Sequence, residues 1–311
     1  MPFTINERIL WTIGGIYTIL VIASVVLWLL KKRGIQLKEV EQRVRSWWVM
    51  ATIFVVAISI SRNISLIFFA LISFLALKEY FSIIPTRRAD RRILFWAYLA
   101  IPIQYYWIAT EWYGMFIIFI PVYMFLYLPM RMVLIGDTKD FLRAAGTLHW
   151  GMMMMVFSLS HLAYLLVLDL KDGTNAGGPG LVLYLVILTQ LNDVTQFLWG
   201  KALGKRKIVP KVSPNKTWAG FLGGLLTTIL IGGSLAPLLT PMNWQVGLLL
   251  GALIGMAGFI GDVTVSALKR DLDIKDSGQL IPGHGGILDR VDSLTYTAPL
   301  FFHVTRYFYG L

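Results

Sequence analysis

Ten stretches of mostly apolar residues, each near the length that crosses a bilayer, follow one another along this chain. They fall at 9–30, 46–61, 64–84, 93–110, 113–131, 146–168, 179–199, 217–240, 244–268 and 293–310. About 20 such residues in a helix traverse the hydrocarbon of a membrane. Within hydrocarbon only a helix or a closed barrel satisfies its own backbone. The expected fold class is therefore all-α, a polytopic integral membrane helical bundle of eight to ten transmembrane helices. The span count is a range because the second stretch is short and the break at Ser61-Arg62-Asn63 is thin. Stretches 46–61 and 64–84 read either as two spans or as a re-entrant pair. The chain is 57% hydrophobic and 14% charged, whereas a soluble domain carries about a quarter charged residues.

Charge placement tests this segmentation. Of the 28 basic residues, 24 lie in five alternate connections: 31–46, 78–92, 131–145, 200–216 and 269–292. Only Arg8, Arg62, Lys171 and Arg306 fall on the other side. The positive-inside rule then puts the basic connections in the cytoplasm and both termini outside, as in a bacterial inner-membrane protein. The net charge of +11 reads as basic loops meeting anionic membrane lipids rather than nucleic acid. There is no cysteine, which excludes disulfides and thiolate metal sites. Segment 9–30 is long enough to remain a spanning helix rather than a cleaved signal. Residues 38–48 read as a basic amphipathic helix on the membrane surface, and 171–175 as an ordinary exterior turn. The methionine run 152–155 reads as packing, and His149 and His161 as isolated residues with local hydrogen bonds. Oligomeric state is not legible, and a homodimer is compatible with the pattern.

Two segments break the apolar character. One runs Asn192-Asp193-Val-Thr195-Gln196 through Gly200-Lys201, Lys205, Lys207, Lys211 and Ser213-Pro214-Asn215-Lys216-Thr217 to Gly223-Gly224. The other, 266–292, is dense in charge and glycine and follows Gly261-Asp262. A carboxylate inside an apolar span costs roughly 2.5–3.5 kcal/mol on insertion scales, so Asp262 is a functional candidate. It shares a helix face with Ser266 at i, i+4. Asp193 has the same character at the end of the seventh stretch. Asp289 and Asp292, at i, i+3, project from one face if a helix starts near Gly286. The helix dipole alone would favour one acid there. It does not account for Pro282-Gly283-His284-Gly285-Gly286 just before. Glycine-rich backbone entering a helix can cradle phosphate, and carboxylates beside it suit Mg²⁺. The lysines and arginines interleaved with these acids could neutralise phosphates. Two regions follow: 1–145, transmembrane helices with basic cytoplasmic loops, and 146–311, the transmembrane region carrying the chemistry.

The stretch Ser266-x-x-Lys269-Arg270, Lys275-Asp276, Pro282-x-His284-Gly285-Gly286-x-x-Asp289-Arg290-x-Asp292 resembles the signature of the phosphatidate cytidylyltransferases, also called CDP-diacylglycerol synthases. Ser213-Pro214-Asn215-Lys216-Thr217-Trp218 is similar to that family's second motif. The motifs cover roughly the C-terminal third of the chain. Two positions depart from the family pattern: the run after Asp193, ending in Gly200-Lys201 where the family has Gly-Arg, and Ala219, where it has an acid. They suit a divergent paralogue. The resemblance implies a transferase that converts CTP and phosphatidic acid to CDP-diacylglycerol and pyrophosphate in phospholipid biosynthesis. On that expectation Asp262, Asp289, Asp292 and Asp193 hold Mg²⁺, and a second metal or a monovalent cation remains open. Lys269 and Arg270 join Asp262, Asp289 and Asp292 in the reaction. Ser213, Asn215, Lys216, Lys275, His284, Gly285, Gly286 and Arg290 bind substrate. Three other readings stand beside it. A CDP-alcohol phosphotransferase would need an Asp-Gly…Ala-Arg run that is missing. A transporter would spread its charges through several spans, whereas these acids concentrate at one face. A non-catalytic membrane relative would bind CTP without turnover.

Overall fold

The computed structural model describes residues 6–34, 37–87, 90–170, 176–278 and 285–310. Among them the chain is helical, with no strand and two isolated β-bridges. His284, Arg88 and the expected turn at 171–175 lie outside the described residues.

Helix α1 (Glu7–Lys32) starts where the Asn6 side chain accepts from the Arg8 amide at 3.0 Å. Glu7 in its first turn and Lys31 and Lys32 in its last complement the helix dipole. Helix α2 (Lys38–Ile60) runs unbroken through both the expected surface helix and the second apolar stretch. No glycine or proline separates the two, so the basic turns simply extend the span. Its 23 residues reach about 34 Å at roughly 1.5 Å per residue, giving a full-length helix rather than half of a re-entrant pair. Ser61 is extended and caps α3 (Arg62–Ile83) by accepting from the Ile64 amide at 3.4 Å.

Helix α4 (Arg91–Ala109) follows. Helices α5 (Tyr113–Ile118) and α6 (Phe125–Val133) form one rod through the π-helical turn Phe119–Met124. Pro121, which has no amide hydrogen to donate, sits in that wider turn. Helices α7 (Phe141–Met152) and α8 (Leu159–Leu165) are joined in the same way by Met153–Ser158. Met152, Met154 and Met155 are buried there, in agreement with packing. His161 bonds the Phe157 carbonyl at 2.8 Å. His149 differs from expectation: its Nδ1 has no partner among the described residues, and the ring meets Phe125 edge-on at 4.8 Å.

The C-terminal part consists of α9 (Gly177–Leu203), α10 (Trp218–Leu239), α11 (Trp244–Asp271), the single turn α12 (Leu288–Val291) and α13 (Leu294–Tyr309). Helices α10 and α11 touch through their backbones. A Cβ at Gly251 would lie 2.6 Å from the Thr228 carbonyl oxygen, so only glycine permits this approach.

Among the described residues seven helical segments are long and apolar enough to cross a membrane: α1, Val40–Ile60, α3, Tyr113–Val133, α9, α10 and α11. Three further rods, α4, α7 with α8, and α13, occupy the apolar stretches at 93–110, 146–168 and 293–310. The molecule is thus an all-α polytopic membrane protein.

The basic connections meet at one end of the bundle. Arg87 pairs with Asp90 at 2.5 Å and donates to the carbonyls of Asp137, at 3.1 Å, and Lys139. Arg270 Nε donates to the Val212 carbonyl at 3.2 Å. At the opposite end Arg62 pairs with Glu111 at 2.5 Å, and Leu170 bridges to Gly310. Hydrogen bonding therefore groups the connections as their charge does.

Candidate active site

Four separate pieces of chain converge at the basic end. Helix α9 brings Asp193 and Gln196, the hairpin before α10 brings Lys216, α11 brings Asp262 and Ser266, and the turn between α12 and α13 brings Asp292 and Ser293. The hairpin is held by the Lys207–Thr217 bridge, with the Ile208 amide donating to the Lys216 carbonyl at 3.1 Å. Thr217 ends it by accepting from the Gly220 amide, which starts α10. This places Lys216 under α9, where its ammonium pairs with Asp262 and donates to Gln196 Oε1 at 3.1 Å.

The turn at Asp292-Ser293 presses on α11 at Gly261. A Cβ there would lie 2.7 Å from the Asp292 carbonyl oxygen. Ser293, fully buried, donates its hydroxyl to Asp193 at 3.0 Å, and its amide donates to Asp292 Oδ1 at 2.7 Å. Ser266 Oγ lies 3.4 Å from Asp262 Oδ1, on the face expected from their spacing. Asp193 lies in the fields of Lys216 and Asp262, and Asp292 in those of Asp262 and Asp193. Burial alone would lower the pKa of Lys216, but Asp262 and Asp193 outweigh it and raise it above the ordinary value.

Asp289 faces elsewhere. It pairs with Lys269 at 2.7 Å and accepts from the amides of Ser277, at 3.0 Å, and Gly286, at 3.2 Å. Burial works to raise its pKa, but the Lys269 hydrogen bond and charge and those two amides hold it below the ordinary carboxylate value. The Ser277 hydroxyl lies between Asp289, at 2.9 Å, and Glu79 of α3. Glu79 also accepts from the amides of Ile287, at 2.9 Å, and Leu288, at 3.2 Å. The acid of a distant helix therefore caps the glycine-rich turn. Gly285 has φ +79°, a conformation that favours glycine. A Cβ on Gly286 would occupy the Glu79 carboxylate. Gly286→Ala is expected to lower the melting temperature, and Glu79→Ala/Gly286→Ala to recover part of that loss by vacating the space. A thermal-unfolding series in detergent that shows no recovery would contradict this packing.

The other expected substrate-binding residues divide. Arg290 joins the acid cluster, and its Nε is buried without a hydrogen-bond partner among the described residues. Ser213 is half-buried in the hairpin, accepting from the Lys216 amide through its carbonyl. Asn215 and Lys275 are exposed. Arg270 is tied to Val212. Glu79, Gln196, Ser277 and Ser293 were not anticipated. Gln196 lies three residues after Asp193, Ser293 adjoins Asp292, Ser277 adjoins Asp276, and Glu79 stands beside Lys78 within the apolar stretch 64–84, so each carried a weak signal.

The donor set suits a hard divalent ion, being carboxylate and hydroxyl oxygen. Asp193, Asp262 and Asp292 have Lys216 among them, and their surplus of negative charge is what a cation would relieve. As they stand, no three histidine, aspartate or glutamate side chains among the described residues are arranged to hold one ion. What the cluster offers without rearrangement is an ammonium, a guanidinium and three carboxylates brought together at the basic end of an apolar bundle.

The description of the cytidylyltransferase family matches residues 41–308. Over 300 residues the chain is 46% identical to an uncharacterized protein, YnbB, of Escherichia coli (strain K12), covering 95% of this chain and 98% of that protein. It is similar to the phosphatidate cytidylyltransferase of Staphylococcus aureus (strain COL), 42% identical over 130 residues, which are 41% of this chain and 49% of that protein. It is also similar to the protein of that name from Haemophilus influenzae, 44% identical over 137 residues, covering 42% and 46%. The chain thus spans about half the length of the two proteins whose names state an activity.

Proposed function

The chain belongs to the cytidylyltransferase family, and from that premise we propose that it is a phosphatidate cytidylyltransferase of the inner membrane, working at the cytoplasmic face. The reaction is CTP plus phosphatidate to CDP-diacylglycerol plus pyrophosphate. One observation carries the reading most: Asp193, Asp262 and Asp292 share a buried neighbourhood with Lys216 at the basic end of the bundle. The names of the shorter-matching relatives agree with it.

In the proposed reaction a phosphate oxygen of phosphatidate attacks the α-phosphorus of CTP. A P–O–P bond forms, and the bond to the β-phosphate breaks with pyrophosphate as leaving group. The nucleophile is already anionic, so no general base is required. The work is positioning and charge neutralisation. Arg290 Nε, without a partner among the described residues, and Lys216 would hold triphosphate oxygens. Lys269, through Asp289, would keep the glycine-rich turn in place beside them, and Arg270 would fix the hairpin. Mg²⁺ held by Asp193, Asp262 and Asp292 would supply the positive charge that lets two phosphates approach. Lipid would enter sideways between helices, with its head group at the depth of the acid cluster.

Purified protein in mixed micelles with labelled CTP and phosphatidate is expected to form labelled CDP-lipid only when Mg²⁺ is present. CTP binding with no product at any divalent-ion concentration would make this chain a silent member of its family and end the proposal.

A further inference from the structure

Away from the candidate site, α1 and α2 enclose a cavity of about 660 Å³ at their basic ends. It shares no residue with the acid cluster. Among the described residues its rim carries Lys31 of α1 and Lys38, Arg45 and the acid Glu41 of α2. Lys31 pairs with Glu41 at 3.4 Å, but both side chains are about 60% exposed (63% and 59%). Such a pair is weak and readily shared with another anion. Below the rim the walls turn apolar and aromatic. Trp48 is fixed by donating to Ser24 Oγ at 3.1 Å and by the Tyr17 ring at 5.6 Å. Trp28 holds the Lys32 ammonium 3.8 Å from its ring centre. Trp28 and Val49 are each 54% exposed, so the cavity opens toward the lipid.

We propose that this groove binds one anionic phospholipid by its phosphate, at a site separate from the acid cluster. Orientation of the helices in the membrane needs basic residues in the connection. It does not need a cavity with cations above and tryptophans below. A soluble anion would use the rim and leave the apolar walls unmatched, whereas a phospholipid matches both, phosphate above and acyl chains beneath. Helix α1 wholly precedes the family match at 41–308. The groove is thus formed by adding a helix to the part of the chain that carries the family's chemistry.

The test is native mass spectrometry of the full-length protein in detergent, titrated with phosphatidylglycerol, phosphatidylcholine or inorganic phosphate. Phosphatidylglycerol is expected to bind more tightly than phosphatidylcholine, and inorganic phosphate is expected not to compete. Lys31→Gln/Lys38→Gln/Arg45→Gln is expected to weaken phosphatidylglycerol binding at least about tenfold, allowing for screening of three interfacial cations. Glu41→Gln, which removes the competing acid, is expected to strengthen it, a gain that misfolding cannot imitate. Arg290→Gln should leave it unchanged. Equal binding of the two lipids, unaltered binding by the triple variant, or loss in Arg290→Gln instead would overturn the proposal. Inorganic phosphate competing as well as lipid would place a soluble anion there instead.

Discussion

Asp262→Asn is expected to reduce CDP-lipid formation by about a thousandfold or more, the scale seen when a preorganised charge is removed from a reacting centre. Asparagine keeps the shape of the side chain, so its neighbours on α11 stay packed. What changes is charge. Lys216 loses its ion-pair partner and is left with Asp193 and the Gln196 oxygen. The carboxylate proposed to hold Mg²⁺ from the centre of the cluster is gone. CTP binding should persist, because Lys216 and Arg290 remain, so the loss should fall on kcat far more than on KM. The measurement is turnover at saturating CTP beside the binding constant for CTP, with thermal unfolding as the check on folding. Full turnover in a folded Asp262→Asn protein would remove this acid from the reaction and with it the proposed reading of the cluster.

Lys269→Met is expected to act on stability as strongly as Asp262→Asn acts on rate. The Lys269 and Asp289 side chains are 14% and 7% exposed, so removing the cation leaves a buried carboxylate. Breaking a buried pair from one side costs about 3–5 kcal/mol. The loss should be largest at neutral pH, and the sign follows from Asp289. Its pKa is depressed in the folded protein, so the stability it contributes is fully present above the unfolded carboxylate value of about 3.9. That stability is lost as pH falls through the lower folded pKa. In Lys269→Met the acid has no ammonium to keep it ionised, so the dependence on acid is displaced upward and the gap to wild type narrows as pH is lowered. Chemical or thermal unfolding of both proteins across acid pH reads this directly. A constant gap over that window would mean that Asp289 does not depend on Lys269 for its charge.

These two expectations separate functions that the sequence had joined. Asp289 and Asp292 are three residues apart, and both were expected to project from one face and hold one or two Mg²⁺. In the structure Asp292 meets Ser293 and the fields of Asp193 and Asp262, while Asp289 turns to Lys269 and Ser277. The helical backbone expected from the i, i+3 spacing is present, since Asp292 and Ser293 between α12 and α13 keep right-handed helical dihedrals. What separates the two acids is the partner each meets: Lys269 and the Ser277 and Gly286 amides hold Asp289, while Asp292 lies with Asp193 and Asp262.

Much of this protein follows from local rules that need only neighbouring residues. Length and hydropathy set which stretches become helices, because the backbone in hydrocarbon has no other partner. Lysine and arginine placement sorted the connections into two groups, and hydrogen bonds such as that of Arg270 to Val212 join members of the same group. The motif residues were legible because charge and glycine are conspicuous against an apolar chain. Partnership was not legible. Glu79 and Ser277 stand 198 positions apart, and Lys216 reaches Asp262 only because the Thr217 hairpin ends under α9. Which buried acid meets which donor depends on how closely helices pass, and that is set by contacts such as Gly251 on Thr228 and Gly261 on Asp292. Such contacts are properties of two surfaces at once, so no single stretch of sequence contains them.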